Sequence, residues 1–322
     1  MRVLITGARG FVGQHLIHYL QNSLPDVEIH GTVLEEPPAS IAPTMFYYQL
    51  DLKNAQALDE VMVQVQPDHI YHLAAQAFVP RSFEAPWETL ENNIRAQLNV
   101  IQACMKQHIR PRMLIVSSAE IYGAVEPHEL PLDEEAVIRP SSPYSVSKVA
   151  QDMLGLQYYL SDGLPIMRAR PFNHFGPGQN ERFVAPAFAM QIARIEAGEQ
   201  EPIMYVGDLT AKRDFTDVRD IVRAYRLIVE KGQPGEAYNV ASGRASSIRV
   251  LLDILLGFTQ ASIQVEVDEA RLRPTKIPIL QGDATRLREA TGWEPMIPME
   301  QTLQDVLDDA RQRLRKQGAI AL

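Results

Sequence analysis

Apolar residues recur along this chain with two alternating periods. Unbroken apolar runs fall near 2–6, 27–34, 45–50, 69–74, 112–117 and 165–171, the pattern of buried strands. Between most of them the apolar positions return every three to four residues. That spacing predicts helices over 54–65, 88–107 and 143–160. Strands alternating with helices predict an α/β fold, a Rossmann-like, doubly wound parallel sheet with helices on both faces. Ligands in such sheets bind beyond the carboxyl ends of the strands.

After Pro171 the texture changes. NHFGPGQNERF is loop-like, FVAPAFAMQIARIEAG helical, and DFTDVRDIVRAYRLIVEKG an amphipathic helix followed by the short strand GEAYNVA. Further helices and short strands follow from 246. We therefore expect a first domain of 1–171 plus 217–245. A smaller mixed α/β lobe, expected to bind substrate, is formed by 172–216 plus 246–322. The terminal DDARQRLRKQ reads as a solvated helix end.

The first strand runs straight into TGARGFVG at 6–13, and Phe11, Val12, Leu16, Ile17 and Leu20 then recur at helical spacing. Strand, glycine turn and helix is the order that aims backbone N–H groups and a helix N-terminus at an anion. Gly7 would make the tight turn, Gly10 would admit a pyrophosphate, and Gly13 would let the helix close on the sheet. An ordinary glycine-rich turn is the alternative on these residues alone.

Composition narrows the classes. With 322 residues, 46% hydrophobic and 22% charged, the chain has the make-up of a globular protein, and its net charge is −9. No Lys/Arg block suggests a nucleic-acid partner, and no apolar run reaches the ~18 residues that span a membrane. An anionic substrate would need local arginines. The one cysteine, Cys104, lies in a helical run without a nearby His or second Cys and reads as core. It fits a reducing, cytoplasmic setting, as does the lack of a leader before the first strand. No metal site is expected.

The strongest catalytic signal is Tyr144-Ser-Val-Ser-Lys148. Ser142 would cap the helix and Pro143 would open it. Residues four apart share a helix face, and an ammonium beside a phenol favours phenolate, which would lower the tyrosine pKa. Such a tyrosine can pass a proton to or from a substrate oxygen. Upstream, the strand RMLIV ends in SSAEIYG. A serine there, Ser117 or Ser118, would either bond the same oxygen or simply cap a turn.

TGARGFVG, HLAA at 72–75, SSAEIYG at 117–123 and YSVSK at 144–148 together resemble the extended short-chain dehydrogenase/reductases that act on nucleotide sugars. RPFNHFGPGQ at 170–179, VGDLTAKRDFTDVRDIV at 206–222, YNVASG at 238–243, RLRP at 271–274 and GWEP at 292–295 are similar to the GDP-4-keto-6-deoxy-D-mannose reductases. The GDP-mannose 4,6-dehydratases share a looser version of this pattern. The resemblance implies that Tyr144 is the general acid/base, that Lys148 holds the nicotinamide ribose, and that Ser118 polarises the carbon-4 carbonyl. It implies cofactor contacts from Gly7, Gly10, Phe11, Val12, Gly13, Leu73, Ala74, Ala75 and Pro171. Asp51 and Leu52 would meet the adenine. Asn173, Arg213 and Arg273 would bind a GDP-sugar, the arginines as forks for its diphosphate. Asn93 also matches the family. A homodimer is expected.

Some positions depart from the family. GTVLEE puts Glu35 and Glu36 at the end of the second strand, where carboxylates would repel a 2′-phosphate. Arg9 would offset them, so both NAD and NADP stay open. Lys276 stands where relatives carry an acid. Glu120, two residues past Ser118, resembles the carbon-5 base of a dehydratase, although reductases carry an acid there too. Reductase is the first reading and dehydratase the second. An epimerase and a non-catalytic NAD(P)-binding regulator are lesser alternatives.

Overall fold

The apolar runs become strands because both of their faces are covered. In the computed structural model, which describes residues 1–36, 45–272 and 277–320 (backbone only for 317–320), Val3, Leu4 and Ile5 are each fully buried. The first half runs β1 (Arg2–Thr6), α1 (Phe11–Ser23), β2 (Glu28–Val33), β3 (Met45–Gln49), α2 (Ala55–Val65), β4 (His69–His72), α3 (Val79–Glu84), α4 (Pro86–Lys106), β5 (Arg112–Val116), α5 (Pro143–Asp162) and β6 (Ile166–Pro171). The second half continues with β7 (Asn173–Phe175), α6 (Val184–Glu196), β8 (Ile203–Val206), β9 (Lys212–Asp217), α7 (Val218–Lys231), β10 (Ala237–Val240), β11 (Ala245–Ser247), α8 (Ile248–Gly257), β12 (Gln264–Val267), β13 (Ile279–Leu280), α9 (Thr285–Thr291) and α10 (Met299–Ile320).

Seven strands form one parallel sheet in the order β10-β6-β5-β4-β1-β2-β3. Between β1 and β4 the strand order reverses, and this crevice is where a Rossmann-like sheet holds its ligand. One face packs on α1 and α7 through Leu16, Leu20, Ile221 and Ile228. The other packs on α2 and α4 through Leu58, Met62, Val100 and Cys104.

A separate apolar core joins α6, α8 and α10, with Phe188, Leu252, Leu307 and Met204 inside it. Beside it β9 pairs with β7, β11 and β13, and β8 pairs with β12. One stretch departs from the expected boundary. Residues 277–293, assigned with 246–322 to the lobe, return to the large core through Ile277, Leu280, Leu287 and Trp293. The Trp293 indole donates to the Asp220 carbonyl at 3.0 Å, which ties this stretch to α7. Among the described residues no helix is long and apolar enough to cross a membrane.

Candidate active site

The crevice is built from backbone at one end. Thr6 is fully buried at the tip of β1. Its hydroxyl oxygen accepts from the Leu73 and Ala74 N–H groups, both at 3.1 Å. The same hydroxyl meets His72 Nδ1 at 2.9 Å. Burial pushes His72 down to about 3, so the ring is neutral and Nδ1 accepts the Thr6 proton. The ends of β1 and β4 are thus locked on either side of the crevice. Gly7 then turns at φ +69°, and a Cβ there would stand 3.0 Å from the Ala74 backbone. A Cβ on Gly13 would lie 2.5 Å from the Gly7 carbonyl oxygen. Gly13 therefore lets α1 sit on the glycine turn itself, a closer approach than the expected one to the sheet. No side chain caps α1 at Gly10, so its first N–H groups are left for an anion.

The other end is built from side chains. Ser142 caps α5 by accepting from Ser145 N at 3.0 Å, the Ser145 hydroxyl accepts from Ser142 N at 2.9 Å, and Pro143 opens the first turn. This reciprocal cap fixes where the helix begins and so where Tyr144 stands. Ser118 ends the β5 strand loop. Its hydroxyl accepts from Glu120 N at 3.1 Å and acts on the Tyr144 phenol, whose pKa it works to lower, so the turn-capping and site-facing readings hold together. Lys148 Nζ donates to the Val116 carbonyl at 2.9 Å and lies 5.9 Å from the centre of the Tyr144 ring. Ser117 donates to the Lys148 carbonyl at 3.2 Å, tying β5 to α5.

The same helix is braced from β6. Asp152, one turn past Lys148, is fully buried between Arg168 at 2.6 Å and Arg170 at 2.8 Å. Burial works to raise the Asp152 pKa, but the two guanidiniums hold it below its usual range. Arg170 also donates to the Glu134 carbonyl at 2.8 Å. Breaking one partner of such a buried group typically costs about 3–5 kcal/mol.

The electrostatics correct one expectation. Lys148 does not pull the Tyr144 phenol below its ordinary value. Burial pushes Tyr144 up to about 12, with Glu120 adding to it and the Ser118 hydrogen bond opposing. Burial also pushes Lys148 down to about 7. Desolvation dominates at both groups, so the phenol keeps its proton at neutral pH.

The two ends open on one cleft of about 460 Å³. Gly7, Gly10, Phe11, Val12, Gly13, Leu73, Ala75, Ser118, Glu120, Tyr144, Lys148, Pro171 and Asn173 all line it. Ala74 backs the Gly7 turn instead. Arg9 lies outside the lining and donates to the Glu36 carbonyl at 2.7 Å, with Glu35 3.6 Å away. The Leu52 side chain is buried in the core, while the Asp51 carboxylate accepts from Lys53 N at 2.9 Å. Arg213 stands on β9 two residues before Phe215, which lines the cleft; side chains two apart on a strand share a face. Arg273 and Lys276 lie outside the described residues. Asn93 is fully buried and bonds Gln76 and Ser147, bracing the loop after β4 against α5.

Sequence reasoning passed over several lining residues. Phe78 and Phe183 meet edge to face at 6.0 Å. His174 stacks on Phe11 at 6.5 Å, and its Nδ1 donates to the Phe172 carbonyl at 3.0 Å. Tyr225 lines the cleft from α7. The run of aromatics on both sides of Asn173 was the available signal for His174.

A parallel sheet with a glycine turn at its switch point and a Ser–Tyr–Lys set at its strand ends defines a dinucleotide-binding Rossmann protein of the short-chain oxidoreductase type. Comparison with known proteins agrees. Residues 4–306 match the family model described as GDP-mannose 4,6 dehydratase, and the chain belongs to that family, within the extended short-chain dehydrogenase/reductases. It is 36% identical over 316 residues to the GDP-6-deoxy-D-mannose reductase of Pseudomonas aeruginosa, covering 98% of this chain and 99% of that one. It is 27% identical over 338 residues to GDP-mannose 4,6 dehydratase 1 of Arabidopsis thaliana, covering 99% and 92%. The solved structure of RMD from Pseudomonas aeruginosa complexed with NADPH superposes with a TM-score of 0.85, at 35% identity and 97% and 99% coverage.

Proposed function

We propose that this chain reduces the carbon-4 ketone of GDP-4-keto-6-deoxy-D-mannose to GDP-D-rhamnose with NAD(P)H. The observation that carries the reading is the Ser118–Tyr144–Lys148 set facing a cleft that begins at the glycine turn. The similarity to a GDP-6-deoxy-D-mannose reductase along nearly the whole chain supports it. The crevice suits a dinucleotide: Gly13 lets α1 close on the glycine turn, and the α1 N-terminus carries no side-chain cap.

NAD(P)H, when bound, supplies two electrons and a hydrogen to carbon 4. The protein supplies the rest. Tyr144, kept protonated by burial, donates its proton to the carbonyl oxygen as negative charge develops there. The Ser118 hydroxyl, which lines the cleft with that phenol, donates to the same oxygen. Lys148, one turn on, takes the ribose hydroxyls. The bulk proton that restores Tyr144 closes the balance: ketone, NAD(P)H and one proton give alcohol and NAD(P)⁺.

We assign the cofactor to residues 1–171 and 217–245, on which 277–293 pack, and the nucleotide sugar to the rest of the second half. Asn173 and Arg213 are its contacts, with Arg213 holding the diphosphate. Exposed Trp87 on α4 and Val146, Met153 and Leu160 on α5, two helices packed side by side, support a homodimer through that face.

Glu120 in the cleft lining favours a second reading, a 4,6-dehydratase in which it takes the carbon-5 proton. Product analysis separates the two. With stoichiometric NAD(P)H, the expected result is turnover of the 4-keto-6-deoxy sugar and no conversion of GDP-mannose. Conversion of GDP-mannose without net cofactor use, abolished in Glu120→Gln, would establish the dehydratase instead.

A further inference from the structure

Arg182 stands at the rim of the cleft, in the turn that leads into α6. Its backbone is fixed there: Arg182 N donates to Asn180 Oδ1 at 3.0 Å, and Phe183 N to the Asn180 carbonyl at 3.2 Å. Asn180, Phe183 and Val184, on either side of it in the chain, all line the cleft. Arg182 itself is exposed, and its guanidinium lies over the ring of Phe78, 5.9 Å from the ring centre. Phe78 belongs to the opposite wall, the loop after β4, where the Gln76 side chain holds both its N–H and its carbonyl. Arg182 thus reaches across the rim from the lobe to the large sheet.

No carboxylate among the described residues pairs with Arg182. Its neighbour Glu181 bonds Arg194 instead, at 3.1 Å, and elsewhere in the lobe Arg311 pairs with Glu196. On a chain of net charge −9, a guanidinium kept from acids at the rim of a cleft is placed to meet an anion. Stacking on a ring occupies its face and leaves the N–H groups along its edge, the fork that grips phosphate oxygens. Position decides which anion. On the reading above, the cofactor diphosphate belongs to the glycine turn and the reacting sugar to Ser118 and Tyr144. The anion left for the lobe side is the diphosphate of the nucleotide sugar. Building on that GDP-sugar reading, we propose that Arg182, braced on Phe78, grips the substrate diphosphate from the rim and clasps the two walls over the bound substrate.

The test measures binding of GDP, guanosine and NADPH by calorimetry in the wild type, Arg182→Ala, Arg182→Lys, Phe78→Leu and the double variant Arg182→Ala with Phe78→Leu. Losing the charged fork should weaken GDP binding about tenfold or more. Guanosine, which lacks the diphosphate, and NADPH should bind as before. Arg182→Lys should recover part of the loss, since it keeps the charge without the fork. Phe78→Leu should weaken GDP about threefold and add nothing once the Arg182 guanidinium is gone. Unchanged GDP binding in Arg182→Ala would overturn the proposal, as would an equal loss for guanosine or NADPH. Additive losses in the double variant would overturn the bracing by Phe78. Wild-type protein that takes UDP in place of GDP would overturn the GDP-sugar reading alone, and the same comparison with UDP and uridine then decides the proposal.

Discussion

The two ends of the cleft are built by opposite means. At the glycine turn the protein offers backbone, through missing side chains at Gly7, Gly10 and Gly13 and an uncapped α1. At the Ser–Tyr–Lys end it offers buried side chains whose pKa values are displaced, Tyr144 up to about 12 and Lys148 down to about 7. On the proposed reading the first end would act by shape and helix dipole and the second by protonation state, which needs a rigid surround such as the Asp152–Arg168–Arg170 cluster. Binding and chemistry should therefore be separable by mutation.

The sharpest separation is Tyr144→Phe. The ring stays, the proton goes, and turnover should fall by about 10²–10⁴-fold, while NAD(P)H binding measured by fluorescence titration stays near normal. Retention of more than roughly a tenth of the rate would remove Tyr144 from the acid role. Gly13→Ala attacks the other end. Its Cβ would meet the Gly7 carbonyl at 2.5 Å, so the turn must shift. NAD(P)H affinity should drop about tenfold or more, with GDP-sugar affinity retained in calorimetry. Equal loss of both ligands would show that the ends are not independent.

The smallest effect is on stability against pH. Lys148 is held at about 7, below its ordinary 10.5, so between these values the unfolded chain binds the extra proton. Stability from this group is present above about 10.5 and is lost as pH falls through about 7. The unliganded wild type should therefore gain in melting temperature relative to Lys148→Met as pH is raised from 7 towards 9. A gap that does not change with pH would contradict the buried, depressed lysine.

Legibility in the sequence follows the same division. The sheet and the glycine turn were readable because they rest on local features: apolar runs, glycine spacing, and a Ser-Pro helix start at 142–143. The Tyr144–Lys148 spacing was equally plain, but its electrostatics were not. The pKa directions depend on burial by β5, β6 and α7, which are distant in sequence, and desolvation reversed the expected effect on the phenol. Arg168 and Arg170, two apart in an otherwise apolar strand, did carry a signal. Two cations on one buried strand face require an acid opposite, and Asp152 supplies it. The return of 277–293 to the large core had no local marker, since Trp293 and Leu287 would suit either core. Tyr225 looked like one more apolar position on an amphipathic helix, because a hydroxyl without a partner is visible only once every neighbour is placed.

The central claim is direct reduction at carbon 4 by the Ser118–Tyr144–Lys148 end of the cleft. Its most direct measurement uses GDP-4-keto-6-deoxy-D-mannose and NAD(P)H deuterated at both hydrogens of the nicotinamide carbon 4, with the sugar product read by NMR. The expected result is one deuterium at carbon 4 of GDP-D-rhamnose for each NAD(P)H consumed, with the rate of labelling falling about 10²–10⁴-fold in Tyr144→Phe. Unlabelled product, or label uptake that persists at full rate without the Tyr144 hydroxyl, would contradict it.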